Sequence, residues 1–362
     1  MTAVVKVGSS SLTLPDGGVD AQAIGQICSQ VADMVMAGNV VVVVTSGAIA
    51  AGWAALGGGT RPADLATLQA VSAIGQHRLM RVYDDSLARA GLHVGQVLLA
   101  SIDFADRRQY LQARQTLGRL LELGVVPVVN ENDATSDDEI RFGDNDRLAA
   151  LVAQIVAADV LVLLTDAPGL LSVDPKLSST GTLIEEVVEI DHRIEAVAGG
   201  AGSEAGSGGM ASKLAAAKIA SWSGIRTVIA DAARPGVISA ALSGEAGVGT
   251  VVRPRGSRLP QRKLWIAFAI GAAGTVVVDE GARSALVGAD ASLLPAGVLE
   301  VHGDFDAGEA VEIAGPDGIV FAKGLARSSS ERVAAWAGQR TDAIPAGSPV
   351  EVVHRDDLVV LV

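Results

Sequence analysis

The first 250 residues alternate between short apolar runs and longer segments whose apolar side chains recur at helical spacing. Val40–Val44 is a run of five valines, and a strand without polar alternation is typical of a sheet that helices cover on both faces. Asp20 is placed to cap the helix before this strand, and Gly38 and Asn39 end it. The pattern predicts an α/β fold, a mostly parallel sheet sandwiched by helices. Further strands are predicted at residues 4–7, 94–99, 125–129, 160–164 and 227–229, with helices around 110–123 and 145–157.

Length and composition limit the class of protein. A chain of 362 residues is too long for one ordinary core and suggests two domains. No apolar run approaches the ~20 residues of a membrane span, and no secretory signal pattern opens the sequence, so we expect a cytoplasmic protein. The single cysteine, Cys28, lies on the apolar face of a predicted helix, where we expect a small core residue. A net charge of −13 disfavours non-specific binding to nucleic acid or to a membrane surface.

A lysine at the end of the first predicted strand indicates a phosphate site. Lys6 stands two residues before Gly8, and two serines follow that glycine. A buried and unpaired ammonium group is costly, whereas a turn of small residues brings backbone N–H groups close to a bound anion. The spacing fits neither the Walker P-loop nor the G-x-G-x-x-G dinucleotide turn. A lysine at a strand edge whose ammonium group reaches solvent would give the same local pattern.

Polar residues collect where the predicted strands end. In parallel α/β folds, ligands bind beyond the carboxyl ends of the strands. Each polar cluster taken alone is also what a helix cap or a turn would use. Four of them together predict a binding site at one edge of the sheet. The clusters are residues 45–47, 130–133, 144–146 and 165–166.

A second lysine follows a glycine-rich loop. Residues 199–209 lead into Met210 and then Lys213, which lies in the first turn of a predicted helix. A lysine there is unfavourable with respect to the helix dipole, and an anion bound at the start of the helix would remove that conflict. Lys218 lies about 140° further around the helix, so we prefer Lys213. A flexible loop that binds nothing is the alternative interpretation.

These segments together resemble the glutamate 5-kinase family, of the amino acid kinase superfamily. The resemblance runs nearly end to end; its first and last segments mark the superfamily, and the middle ones are specific to glutamate 5-kinases. Ser9 and Ser207 stand where threonine is frequent, and Leu171 stands where a tyrosine is often found. The segments that carry the resemblance are residues 5–10, 44–52, 130–134, 143–146, 164–166 and 208–213.

The resemblance implies MgATP-dependent phosphorylation of the side-chain carboxylate of L-glutamate, which gives glutamyl 5-phosphate for proline biosynthesis. Because a carboxylate is already anionic, the chemistry needs positioning and charge neutralisation rather than a general base. We therefore expect Lys6 and Lys213 to flank the transferring phosphoryl group, with Asp146 orienting both lysines. Mg²⁺ is expected to arrive on the nucleotide, because the sequence shows no dedicated carboxylate cage.

The resemblance also implies roles for the other site residues. Ser46 and Gly47 are expected to receive the attacking carboxylate. Asp133 and Asn145 are expected to hold the α-amino end of the substrate, and Asp144 to support that loop. The residues expected to bind ATP are Lys6, Gly8, Thr165, Asp166, Ser207, Gly208, Gly209, Met210 and Lys213.

The alternation of strands and helices gives way to short predicted strands after residues 253–260, a basic segment that contains prolines. We predict a kinase domain over residues 1–255, a linker at 256–262 and a second domain at 263–362. Residues 293–297 and the pair Gly308 and Glu309 resemble the PUA domain, a small mainly-β barrel found in RNA-modifying enzymes. From residue 256 onward, nine Lys and Arg face fourteen Asp and Glu, and this net charge of −5 disfavours RNA and favours a structural or regulatory role. Strands are predicted at residues 274–278, 297–301, 310–313, 319–323 and 349–353.

Three other interpretations stay open. Another amino acid kinase, such as an N-acetylglutamate kinase, an aspartokinase or a UMP kinase, is disfavoured by residues 130–133 and by the PUA-like domain. An RNA-binding protein with a silent kinase fold is disfavoured by the acidic balance. A silent nucleotide-binding regulator is disfavoured by the presence of both lysines and of residues 144–146. The resemblance further implies inhibition by proline, a homo-oligomer (dimer or tetramer) and transfer of the product to glutamyl phosphate reductase.

Overall fold

The computed structural model describes residues 1–60, 62–135, 145–173, 181–198, 209–344 and 349–361. The chain forms two compact units. Unit 1 comprises Met1–Asp103 and Arg107–Arg258, and unit 2 comprises Phe104–Asp106 and Leu259–Val362. The linker at residues 256–262, with domain limits at 255 and 263, stays a prediction.

Unit 1 is built around one sheet, which has eight strands within the described ranges. Their order across the sheet is β3-β4-β2-β1-β5-β7-β8-β6, and every neighbouring pair is parallel except β7 with β8. The predicted mostly parallel sheet is therefore confirmed. The strands are β1 (Thr2–Val7), β2 (Val40–Val44), β3 (His93–Leu99), β4 (Val125–Glu131), β5 (Val160–Thr165), β6 (Glu186–Val187), β7 (Arg226–Asp231) and β8 (Thr250–Val252).

Helices lie between most successive strands of unit 1, as the sequence pattern predicts; among the described residues, none lies between β5 and β6. The first of them begins where Asp20 accepts hydrogen bonds from the backbone N–H groups of Gln22 and Ala23, which satisfies two donors of its first turn. The helices up to residue 258 are α1 (Ala21–Met36), α2 (Ala48–Ala55), α3 (Leu65–Ala88), α4 (Ser101–Ala105), α5 (Arg107–Glu122), α6 (Asn145–Ile155), α7 (His192–Val197), α8 (Met210–Trp222) and α9 (Val237–Ser243).

The core of unit 1 explains the long apolar runs. The last four valines of β2 and all six residues of β5 are buried, as expected of strands in a sheet that helices cover on both faces. Cys28 is 2% exposed within this core, and burial raises the pKa of its thiol to about 12, so it is a packing residue as expected. None of the helices in the described ranges combines the length and the hydropathy that a membrane span requires.

Unit 2 is mainly β and has a core of its own. In the part of the chain that the structure describes, its sheet has the order β10-β9-β11-β12-β13. The strands are β9 (Gly274–Val278), β10 (Val298–Gly303), β11 (Ala310–Ala314), β12 (Val320–Ala326) and β13 (Val353–Val360). The helices are α10 (Gln261–Leu264), which continues into a π-helical turn (Trp265–Ala269), α11 (Glu280–Ala289) and α12 (Ser330–Trp336).

The prediction of the last strand at residues 349–353 is wrong. The strand is β13, which begins only at Val353 and pairs with β12 from Val353 to Val360. Polar residues such as Arg355 and Asp356 interrupt the apolar pattern of this strand. They are tolerated because β13 is an edge strand of the described sheet, and an edge strand keeps one side in solvent.

Candidate active site

A buried carboxylate holds two lysines together at the carboxyl edge of the sheet. Lys6 Nζ lies 2.6 Å from Asp146 Oδ1, and Lys213 Nζ lies 3.1 Å from Asp146 Oδ2. The side chains of the two lysines are 5% and 4% exposed, and that of Asp146 is fully buried. Two lysines that are 207 positions apart in the sequence thus meet on one carboxylate.

Three different elements supply this cluster. Lys6 is the penultimate residue of β1, where it pairs with Val44 of β2 on one side and Leu163 of β5 on the other. Asp146 lies in the first turn of α6, and Lys213 lies in the first turn of α8. The cluster therefore lies beyond the central strands, where parallel α/β folds bind their ligands.

The electrostatics of the cluster keep Asp146 ionised. Burial by itself raises the pKa of Asp146, but the charges of Lys6 and Lys213 lower it. The lowering is the larger effect, so the pKa of Asp146 lies below its ordinary value. Ser212 contributes to this lowering, because its Oγ lies 2.7 Å from Asp146 Oδ2. Ser212 is not among the predicted site residues, although its place directly before Lys213 on the same helix was a signal that could have found it.

The glycine turn after β1 lies beside the first lysine. A Cβ built on Gly8 would be 3.6 Å from Lys6 Nζ, so the backbone of Gly8 and the ammonium group of Lys6 are near neighbours. The hydroxyl groups of Ser9 and Ser46 are 2.7 Å apart. This contact brings the turn after β1 next to the end of β2, and it was not foreseen from the sequence.

Gly47 opens α2 in a conformation that suits glycine. Its φ of 98° lies in the left-handed region, and a Cβ there would also come to 3.4 Å from Thr13 Cγ2. The backbone N–H groups of the first turn of α2 follow directly, next to Ser46. The N-terminus of a helix attracts an anion, because its first N–H groups have no partner within the helix.

A pocket of about 280 Å³ lies beside this helix start. Asp133 lines it, as does Ala48, the first residue of α2. Asn145 is 8% exposed and donates a hydrogen bond of 3.2 Å from its Nδ2 to Asn130 Oδ1 of β4. Asn145 does not line the pocket, but Asn130 links it to Gln76, which does.

Only some of the residues that are predicted to bind ATP lie in the described ranges. Thr165, at the end of β5, donates from Oγ1 to Asp166 Oδ1 over 3.1 Å, and it lies two residues beyond the partner of Lys6 in that strand. Gly209 and Met210 form the start of α8, and Gly209 O accepts from the hydroxyl group of Ser212. Asp144, Ser207 and Gly208 lie outside the described residues. Among the described residues, no group of three or more His, Cys, Asp or Glu side chains could hold a metal ion.

Comparisons with known proteins show the family to which the chain belongs. The model of the amino acid kinase family matches residues 1–231, and that of the PUA domain matches residues 274–348. Glutamate 5-kinase from Pelobacter propionicus is 45% identical over 362 residues, which cover 99% of this chain and 97% of that protein. The chain belongs to the amino acid kinase family, among the glutamate 5-kinases. As a member of that family it is a kinase and uses ATP.

Other relatives give the same result. Glutamate 5-kinase from Pseudomonas putida (strain GB-1) is 45% identical over 362 residues, which cover 99% of this chain and 97% of that protein. Glutamate 5-kinase from Moorella thermoacetica is 45% identical over 364 residues, with 99% and 96% covered. The structure of carbamate kinase from Giardia lamblia bound to AMP-PNP superposes with a TM-score of 0.52 at 18% identity, covering 70% of this chain and 98% of that one. That superposition supports the fold alone.

Proposed function

We propose that this chain transfers the γ-phosphoryl group of MgATP to the side-chain carboxylate of L-glutamate. The products are glutamyl 5-phosphate and ADP, and the reaction is the first step of proline biosynthesis from glutamate. Relatives that share 43–46% identity over nearly the whole chain carry the name glutamate 5-kinase, which supports the reaction. The observation that carries the mechanism is the buried carboxylate of Asp146 with Lys6 and Lys213 on it.

The phosphoryl transfer needs little covalent chemistry from the protein. A side-chain oxygen of glutamate attacks the γ-phosphorus, the bond from that phosphorus to the bridging oxygen breaks, and ADP leaves. Both reactants are anions, so the barrier is largely one of approach and of charge that develops on the phosphoryl oxygens. Lys6 and Lys213, held in place by Asp146, neutralise that charge from two sides, and the N–H of Gly8 is a further donor.

The two substrates take opposite sides of the lysine cluster. The attacking carboxylate lies at Ser46 and Gly47, where the start of α2 offers backbone N–H groups. Asp133 and Asn145 hold the α-amino group, with Asp144 supporting the loop. ATP lies along Thr165, Asp166 and the start of α8, together with Ser207, Gly208, Gly209 and Met210. Mg²⁺ arrives as part of the substrate MgATP.

Regulation and assembly extend this proposal. Proline carries the same α-amino and α-carboxyl groups as glutamate, so it competes for the site of Asp133 and Asn145 as a feedback inhibitor. The enzyme works in the cytoplasm as a homo-oligomer, a dimer or a tetramer, and passes its labile product to glutamyl phosphate reductase. The PUA domain has a structural or regulatory role.

A hydroxamate assay tests the reaction directly. Hydroxylamine traps an acyl phosphate, so the enzyme is incubated with MgATP, hydroxylamine and, in turn, L-glutamate, L-aspartate and N-acetyl-L-glutamate. We expect ATP-dependent hydroxamate with L-glutamate and far less with the other two. Turnover of N-acetylglutamate or aspartate without turnover of glutamate would assign the chain to another amino acid kinase.

A further inference from the structure

A buried glutamine that none of the sequence motifs contains lies against the substrate pocket. Gln76 is 8% exposed, belongs to α3, and lines the 280 Å³ pocket together with Ala48 and Asp133. Amide groups are rarely buried in this way without a partner for each polar atom. The hydrogen-bond partners of Gln76 therefore indicate which chemical groups of a ligand the pocket can bind.

Three amide side chains from three elements form one hydrogen-bonded chain. Asn130 Nδ2 of β4 donates to Gln76 Oε1 over 2.7 Å, and Asn145 Nδ2 of α6 donates to Asn130 Oδ1 over 3.2 Å. The two ends of this chain, Gln76 Nε2 and Asn145 Oδ1, are buried and have no hydrogen-bond partner among the described residues. A buried polar atom without a partner is unfavourable, so a ligand group that reaches it would be stabilising, and of the two residues Gln76 lines the pocket.

The two ends of such a hydrogen-bonded chain of amides offer different groups to a ligand, a donor at one end and an acceptor at the other. When each amide donates to the next, one end keeps an N–H donor and the other keeps a carbonyl acceptor. An α-amino acid carries a carboxylate, which only accepts, and an ammonium group, which only donates, on the same carbon. The amide chain is therefore complementary to an amino acid in its zwitterionic form, and Asp133 at the same pocket adds a charged acceptor for the ammonium group.

A close helix crossing fixes where Gln76 stands. Gly75, directly before it, packs on α2 so closely that a Cβ there would lie 1.7 Å from Ala48 O. Gly52 of α2 makes the reciprocal contact, with a Cβ position 1.8 Å from Val71 O. Only glycine allows backbones to approach in this way. The crossing holds Gln76 next to Ala48, the first residue of α2, and both residues line the pocket.

We propose that Gln76 is a further substrate-binding residue, whose amide N–H donates to the α-carboxylate of glutamate. Asn130 is the positioning residue: by donating to Gln76 Oε1 it turns the N–H of Gln76 toward the substrate. The inference rests on the proposed function, and it adds the group that reads the α-carboxylate to the residues that read the α-amino group.

Substitution of Gln76 by methionine tests the hydrogen bond with little change in side-chain length. In Gln76→Met we expect the KM for glutamate to rise roughly 10- to 100-fold, the effect of losing one charge-assisted hydrogen bond. The kcat and the Kd of ATP should stay within about twofold of the wild type. Gln115→Met is the matched control, because Gln115 is an exposed glutamine of α5 that does not line the pocket.

Two competitive inhibitors identify the substrate group that Gln76 contacts. Glutarate keeps both carboxylates and lacks the amino group, whereas γ-aminobutyrate lacks the α-carboxylate. In Gln76→Met the inhibition constant of glutarate should rise in parallel with the KM for glutamate, and that of γ-aminobutyrate should stay unchanged. An unchanged KM, or an equal weakening of both inhibitors, overturns the inference. A wild-type enzyme that does not turn over glutamate would instead refute the proposed function.

A double-mutant cycle tests the role of Asn130. An aspartate at this position cannot donate to Gln76 Oε1, so in Asn130→Asp the amide of Gln76 turns its N–H away from the substrate. We expect Asn130→Asp to raise the KM for glutamate in the wild-type background and to add little to Gln76→Met. Fully additive losses would show that Asn130 does not act through Gln76.

Discussion

The helix crossing between α2 and α3 gives a prediction whose size follows from the structure. Substitution Gly75→Ala places a Cβ 1.7 Å from Ala48 O and 2.5 Å from Gly52 N, and real Cβ contacts essentially never fall below 3.0 Å. The backbones must therefore separate by at least about 1.3 Å, since neither neighbour is a flexible side chain. Overpacking of this kind costs about 3 kcal/mol, and the better helix propensity of alanine returns about 0.8 kcal/mol.

The net loss of about 2 kcal/mol in the free energy of unfolding corresponds to a Tm lower by roughly 4–8 °C for a unit of this size. Differential scanning calorimetry of the full chain measures it. The matched control is Gly118→Ala in α5, where a Cβ meets nothing within 4 Å, and we expect its Tm to rise slightly. Because the crossing also places Gln76, Gly75→Ala should raise the KM for glutamate more than the Kd of ATP. A Gly75→Ala enzyme with a Tm at or above the wild-type value would refute the packing argument.

The lysine cluster and the pocket give three further predictions. Lys213→Ala should lower kcat by roughly 10²–10³ with a much smaller change in the KM for glutamate, while Lys218→Ala, whose ion pair with a glutamate is half exposed, should be close to neutral; steady-state kinetics would show the reverse if the wrong lysine is assigned. Asp133→Ala should raise the KM for glutamate and the inhibition constant of proline together, with the Kd of ATP from calorimetry unchanged; a loss of ATP affinity instead would place Asp133 on the nucleotide side. The pKa of Asp146 lies below its ordinary value, so its ion pairs stabilise the folded state above about pH 4, and this stability is lost as the pH falls through the folded pKa. The free energy of unfolding, measured with urea between pH 5 and 2.5, should therefore change less steeply with pH in Asp146→Asn, by up to about 1.4 kcal/mol per pH unit. An equal pH dependence in the two proteins would contradict this.

Local chemistry determined the elements and most of their ends. Unbroken valines made β2 a buried strand, and Asp20 marked the start of α1, because burial on both faces and a side-chain cap each depend on a few adjacent residues. The same local reasoning failed for β13, because charged residues interrupt the apolar pattern of this edge strand. The burial of its residues depends on which strands lie next to it in the sheet, and that cannot be deduced from the sequence of the segment alone.

The two lysines show which properties of the site the sequence indicated and which only the tertiary structure decided. The sequence indicated Lys6 and Lys213 separately, each from a conflict between a charge and its local surroundings. That both contact one buried carboxylate follows only from the order of the strands, which brings the end of β1 beside the starts of α6 and α8. Gln76 had no local signal, because a polar residue in the middle of a helix is ordinary until the fold buries it. The sequence by itself determined which residues are chemically unusual, while the tertiary structure decided which of them meet, because contacts between distant segments depend on packing rather than on neighbours in the chain.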